Sequence, residues 1–130
     1  MKSLVVEDNA TNRMLLQTFL SRYGECHIAL DGKEAVEAIR VAREDHRRFD
    51  LVCMDLRMPV MDGQEAIREI RKQEADANIF TKIVKIIVTT ALTDITNITE
   101  AIKGRCDGYI LKPVDTAMLL ERLKILGLIQ

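Results

Sequence analysis

Apolar residues come in short dense runs, and each run stops at a polar or charged group. Leu4-Val5-Val6 stops at Glu7-Asp8, and Leu51-Val52-Cys53-Met54 stops at Asp55. Ile86-Ile87-Val88 stops at Thr89-Thr90-Ala91, and Tyr109-Ile110-Leu111 stops at Lys112-Pro113. Runs of this length without alternation read as strands buried on both faces. The first strand starts at about Lys2, and Glu25 to Leu30 reads as a further short strand.

Between the strands, apolar positions recur at helical spacing. Asn9 or Thr11 caps a helix running to about Arg22, with Leu15, Leu16, Phe19, Leu20 and Tyr23 inward and Gly24 as its stop. Asp31-Gly32-Lys33-Glu34 has the form of a capping box, and Ala35, Val36, Ala38, Ile39 and Ala42 form the stripe of the helix behind it. His46-Arg47-Arg48 reads as the solvated end of that helix. A turn at residues 58–63 opens a third helix at Gly63 or Gln64, with Ala66, Ile67 and Ile70 inward, running to about Gln73. Glu74 to Lys82 reads as a loose linker. A fourth helix is expected from about Ile95 to Lys103, with Ile95, Ile98 and Ile102 on one side. On its outer side lie Thr96, Asn97, Thr99, Glu100 and Lys103. Asp115 caps a fifth helix that ends near Gly127.

Strict alternation of strand and helix predicts an α/β fold: a parallel sheet with helices on both faces. Right-handed crossovers leave few topologies. For five strands the expected order is 2-1-3-4-5, the flavodoxin-like three-layer sandwich, which sets the ends of the first and third strands side by side. A chain of 130 residues without repeats or low-complexity tracts suits one domain over residues 1–130.

Composition narrows the function classes. Nineteen basic and twenty acidic residues nearly cancel, so no nucleic-acid footprint is expected. No apolar run approaches the ~20 residues of a membrane helix, so no membrane association is expected. The chain enters a strand at once, which predicts no signal peptide. Cys26, Cys53 and Cys106 are far apart and match no metal spacing. They read as reduced packing residues, in keeping with a cytoplasmic protein.

The strand ends carry the chemistry. In this fold Glu7, Asp8 and Asp55 converge. Two like charges ~4 Å apart repel by roughly 4 kcal/mol at an effective dielectric of 20, so a counterion is implied. Carboxylate oxygens completed by water suit Mg²⁺. Lys112 adds a cation and Thr90 a hydroxyl donor, a set able to neutralise and hold a phosphoryl group. Asp55 stands alone at its strand end and is the candidate acceptor, since carboxylates form acyl phosphates in covalent mechanisms. Thr89 competes with Thr90, and strand alternation puts the two on opposite faces.

These motifs together resemble a response-regulator receiver domain of two-component signalling, similar to the receivers of hybrid histidine kinases. The motifs are Val5-Val6-Glu7-Asp8-Asn9, the stretch from Met54-Asp55 through Met61-Asp62-Gly63, Thr89-Thr90-Ala91, and Asp107-Gly108-Tyr109-Ile110-Leu111-Lys112-Pro113. The resemblance implies Asp55 as phospho-acceptor and Glu7 and Asp8 as the acidic pair holding Mg²⁺. It further implies the backbone carbonyl of Arg57 as a metal ligand, Thr90 as switch hydroxyl, Tyr109 as switch aromatic and Lys112 as phosphate-binding cation. The peptide bond between Lys112 and Pro113 is then expected to be cis. The implied partners are a histidine kinase or histidine phosphotransfer protein and a downstream protein. Asn9, Asn12 and Arg13 resemble the start of the first helix in hybrid-kinase receivers, which faces the phosphodonor. The chain departs from the pattern at Glu7, where Asp is frequent, and at Arg105, where Gly is frequent. Residues 41–50 and 73–85 are longer than usual.

Two rivals stand beside this reading. A Mg²⁺-dependent phosphohydrolase would carry a second acid two residues after its nucleophile, where this chain has Arg57. An interaction module without phosphorylation would not need the full set of acids, Thr and Lys. The expectation is therefore a phospho-acceptor rather than an enzyme. The fifth helix has more apolar residues than one stripe requires, Met118 and Ile125 among them. It is either fully buried or a surface for a partner or a second copy of the chain.

Overall fold

In the computed structural model, which describes residues 1–81, 83–95 and 104–130, the apolar runs become the strands of one sheet. They are β1 (Ser3–Val6), β2 (Cys26–Ala29), β3 (Leu51–Asp55), β4 (Lys85–Thr90) and β5 (Gly108–Leu111). Their order is β2-β1-β3-β4-β5, as expected, and every neighbouring pair is parallel. The helices between them are α1 (Ala10–Leu20), α2 (Gly32–Glu44), α3 (Gly63–Asp76), α4 (Leu92–Ile95) and α5 (Thr116–Ile125). Asn9, Asp31, Asp62 and Asp115 each cap a helix by accepting a backbone N–H in its first turn.

Alternation along each strand builds two cores. Leu4, Val6, Val52, Met54, Ile86 and Val88 face α2 and α3, where they meet Ala35, Ile39, Ala66, Ile67 and Ile70. Val5, Leu51, Cys53, Ile87 and Ile110 face α1 and α5, where they meet Leu16, Phe19, Leu20, Leu119 and Leu123. Both faces of the central strands are thus covered, which is why their sequences show no polar alternation. The register sets Val6 beside Met54 and Asp55 beside Thr89. Glu7 follows Val6 directly, so it ends level with Asp55.

Gly63 fixes how closely α3 approaches this edge. A Cβ there would fall 2.4 Å from the backbone oxygen of Asp55, so no larger residue fits without displacing the strand end. Its N–H donates to the carbonyl of Leu56 at 3.0 Å. Val60, in the loop just before, holds a positive φ of 66°, an uncommon conformation for a β-branched residue.

Four expectations need correction. Leu15 is 40% exposed rather than inward, because the α1 stripe is narrower than its apolar content. The fourth helix begins at Leu92, before the expected start; residues 96–103, on which the rest of that expectation falls, lie outside the described residues. Of the two readings of the fifth helix full burial falls away, since Leu119 and Leu123 are buried while Met118 and Ile125 are exposed.

The fourth correction concerns Glu74, which is not linker. The third helix continues to Asp76, and Glu74 is buried within it. Its carboxylate accepts from Arg71 Nη1 at 2.7 Å and from the Val84 N–H at 3.0 Å. Arg71 also donates to the carbonyls of Val84 (2.9 Å) and Arg105 (3.0 Å) and to Asp107 Oδ2 (3.3 Å). Asp107 Oδ2 accepts from the Ile86 N–H at 2.8 Å as well. This network locks the end of α3 to the starts of β4 and β5.

Candidate functional site

Strand ends β1 and β3 bring three carboxylates together. Glu7, Asp8 and Asp55 each offer an oxygen, and these oxygens lie within 4.8 Å of one another. Glu7 is fully buried and Asp55 is 5% exposed, whereas Asp8 is exposed. From the end of β5, Lys112 Nζ reaches Glu7 Oε1 at 3.0 Å and Asp55 Oδ1 at 3.2 Å. The Lys112–Pro113 peptide bond is cis. The Lys112 N–H donates to the Thr90 carbonyl at 2.8 Å, which ties β5 to the end of β4.

Among the described residues, one cation, Lys112, pairs with the carboxylates themselves, which leaves the three acids short of positive charge. Burial, reinforced by the hydrogen bond and charge of Glu7, pushes Asp55 up to about 7, against the pull of Lys112. Burial works against the charged form of Lys112. The hydrogen bond to Glu7 and the charges of Asp55 and Glu7 outweigh it, and its ammonium is held above the ordinary range. The Oε2 atom of Glu7 is buried with no hydrogen-bond partner among the described residues. A buried carboxylate with an unpartnered oxygen, clustered with two further acids, is a good fit for a small hard cation, because such a cation satisfies all three residues at once.

The remaining predicted residues surround this cluster. The Arg57 N–H donates to Asp55 Oδ1 at 3.3 Å, which places the Arg57 backbone at the cluster. Its side chain turns away and forms an ion pair with Asp94 at the start of α4. Together these two residues, Asp8 and Met58 line a cleft of about 510 Å³. Thr90 is buried at the end of β4, and its hydroxyl donates at 3.4 Å to the carbonyl of Ala91 rather than to the carboxylates. Tyr109 is half-buried in β5 and packs against the core beneath α2 and α3, one residue before Ile110. Glu7, Asp8, Asp55 and Lys112 therefore form one contact set; Thr90 ends the neighbouring strand β4, and Tyr109 lies deeper in β5, beside Val88.

Two contributors were not read from the sequence. Asp94 left no signal, since a single acid in a polar stretch is unremarkable. Arg13 returns from α1 to donate from Nη1 to the carbonyls of Glu7 (3.2 Å) and Asp8 (3.3 Å). The resemblance singled it out, but not for this contact.

Comparison with known proteins places this arrangement. The chain is 32% identical over 121 residues to hybrid signal transduction histidine kinase I of Dictyostelium discoideum, covering 92% of this chain and 7% of that protein. It is 34% identical over 122 residues to the chemotaxis protein CheY of Thermotoga maritima, covering 92% of each. Several other similar proteins are far longer, and the chain spans 5% of hybrid kinase M of Dictyostelium discoideum and 13% of probable histidine kinase 6 of rice. Among solved structures, the receiver domain of sensor histidine kinase PA1611 from Pseudomonas aeruginosa has a magnesium ion in its active-site cleft. It matches with a TM-score of 0.76 at 30% identity, covering 97% of both chains. A co-crystal structure of the Saccharomyces cerevisiae phosphotransfer protein Ypd1 with the receiver domain of Ssk1 matches with a TM-score of 0.80 at 30% identity, covering 95% of this chain and 86% of that one. The family described as the response regulator receiver domain matches residues 3–124. With the sheet order, the strand-end acids and the lysine already in place, that match settles the point: this chain belongs to the response regulator receiver domain family.

Proposed function

We propose that Asp55 is the phospho-acceptor of this receiver domain, and that the cluster around it receives a phosphoryl group from a phosphohistidine. Membership of the family makes the chain a phospho-accepting signalling module; the roles of its residues are what is proposed. The observation that carries the reading is the contact set of Glu7, Asp8 and Asp55 with Lys112 spanning Glu7 and Asp55.

An oxygen of ionised Asp55 attacks the phosphorus in line. The O–P bond forms as the P–N bond of the phosphohistidine breaks, and the imidazole nitrogen keeps the electron pair and takes up a proton. Lys112 pairs with the negative charge that arrives, and the Thr90 hydroxyl leaves Ala91 to donate to a phosphoryl oxygen. Tyr109 then turns into the space that Thr90 vacates. Glu7, Asp8, Asp55 and the backbone carbonyl of Arg57 would hold Mg²⁺, which when bound supplies charge neutralisation for the phosphoryl oxygens. The module is a phospho-acceptor, with slow loss of its own phosphoryl group, rather than a turnover enzyme. Its output is a population shift between two conformers.

The donor, a histidine kinase or histidine phosphotransfer protein, docks on α1. There Met14 is 68% exposed and borders a shallow groove with Ala10, Thr11, Leu15 and Thr18. The Ypd1–Ssk1 complex supports a donor of this kind. A downstream protein or a second copy of the chain uses β5 and α5, where Leu111, Met118 and Ile125 are exposed. Cytoplasmic residence suits three cysteines that form no disulfide.

Incubation with a phosphorylated phosphotransfer protein or acetyl phosphate should label the wild-type chain in the presence of Mg²⁺, and Asp55→Asn should abolish the label. Undiminished labelling of Asp55→Asn would move the acceptor elsewhere. Multiple turnover on small phosphate esters would restore the phosphohydrolase reading.

A further inference from the structure

The acidic pair sits on a loop that the sheet does not hold. The Glu7 N–H donates to the Ala29 carbonyl at 3.2 Å, but the carbonyls of Glu7 and Asp8 lie past the end of β1. Both point at one nitrogen. Arg13 Nη1 donates to Glu7 O at 3.2 Å and to Asp8 O at 3.3 Å. The same first turn of α1 holds the next residue, since the Arg13 N–H donates to Asn9 O at 2.9 Å and the Asn12 N–H to Asn9 Oδ1 at 3.0 Å. Fixing two successive carbonyls fixes two peptide planes, and these set the directions in which the Glu7 and Asp8 side chains leave the backbone.

We propose that Arg13 is a positioning residue for the metal-binding acids: by holding the Glu7 and Asp8 carbonyls, it keeps both carboxylates aimed at Asp55 before any cation arrives. The inference rests on the reading of Glu7 and Asp8 as metal-holding. Groups that orient metal ligands contribute to affinity because the ligand geometry need not be assembled on binding. A guanidinium near an acidic site also repels a cation, and that effect has the opposite sign. If charge were its main influence, removing Arg13 would tighten Mg²⁺ binding. If positioning is, removing it loosens binding even though a positive charge has gone.

The test is a Mg²⁺ titration of the metal-free protein, followed by calorimetry and by backbone amide shifts, for wild type, Arg13→Lys and Arg13→Ala. Arg13→Ala is expected to bind Mg²⁺ about tenfold more weakly. Arg13→Lys keeps the charge on a shorter side chain whose ammonium stops short of the Nη1 position, and is expected to fall between. Without metal, amide exchange at Asp8 and Asn9 should rise in both variants, while the central strands stay protected. Equal or tighter Mg²⁺ binding by Arg13→Lys and Arg13→Ala would overturn the proposal. No Mg²⁺ binding by wild type would instead sink the functional reading beneath it. Should Arg13→Ala fail to fold, the affinity and exchange of Arg13→Lys decide by themselves.

Discussion

The two ends of the sheet use the same ingredients to opposite effect. At the N-terminal ends of β4 and β5, Arg71, Glu74 and Asp107 form a network in which both Glu74 oxygens and Asp107 Oδ2 have partners, with Lys85 4.0 Å from Asp107 Oδ1. At the C-terminal ends, Glu7 and Asp55 share Lys112 with Asp8 beside them, and Glu7 Oε2 has no hydrogen-bond partner among the described residues. The first cluster spends its hydrogen-bonding capacity within the fold. The second keeps capacity in reserve for a ligand. Charge and burial alone do not separate a structural network from a functional one; the completeness of the partners does.

That contrast can be broken by mutation. Arg71→Met leaves buried Glu74 without its cation and should cost about 3–5 kcal/mol of stability in denaturant unfolding, the usual cost of removing one partner of a buried pair. Phosphoryl labelling of the folded fraction should be unchanged, and a matching loss of labelling would erase the distinction between the two ends. A smaller effect should follow from filling the reserve. Mg²⁺ at ten times its Kd should stabilise the wild type by about 1.4 kcal/mol, read as a rise in melting temperature. Arg71→Met should gain the same increment and Glu7→Gln much less. An equal gain by Glu7→Gln would show the cation binding elsewhere.

A separate effect is on pH. The Asp55 carboxyl is held near 7 in the folded chain and near 3.9 when unfolded. Between those values the folded state binds more protons than the unfolded state, so this group's contribution to stability falls as pH rises from about 4 to 7. Urea unfolding of the metal-free protein across that window should show a steeper decline for wild type than for Asp55→Asn. Parallel curves would mean that Asp55 is not held protonated by its surroundings.

Much of this was legible in the sequence, for a physical reason. Strands buried on both faces leave unbroken apolar runs, and such runs are hard to mistake. The acids and the lysine were legible because each directly follows such a run. What escaped depends on long side chains reaching across the fold. Glu74 sits in a polar stretch and looks solvated until Arg71 and Val84 close over it. Arg13 reaches back six residues to backbone oxygens, a contact with no periodic signature. Leu15 was placed inward because a count of apolar residues cannot tell a core stripe from an exposed patch beside it. The switch roles of Thr90 and Tyr109 rest on the resemblance, since in this conformation the Thr90 hydroxyl donates to the Ala91 carbonyl and Tyr109 packs against the core beneath α2 and α3.

Gly63 has a mechanical consequence. With helix α3 seated hard against the Asp55 carbonyl, that flank of Asp55 acts as an abutment with no slack. On the proposed phosphorylation of Asp55, movement would then be turned sideways, toward β4 and β5. A glycine with no chemistry of its own would thus make the domain's response one-directional.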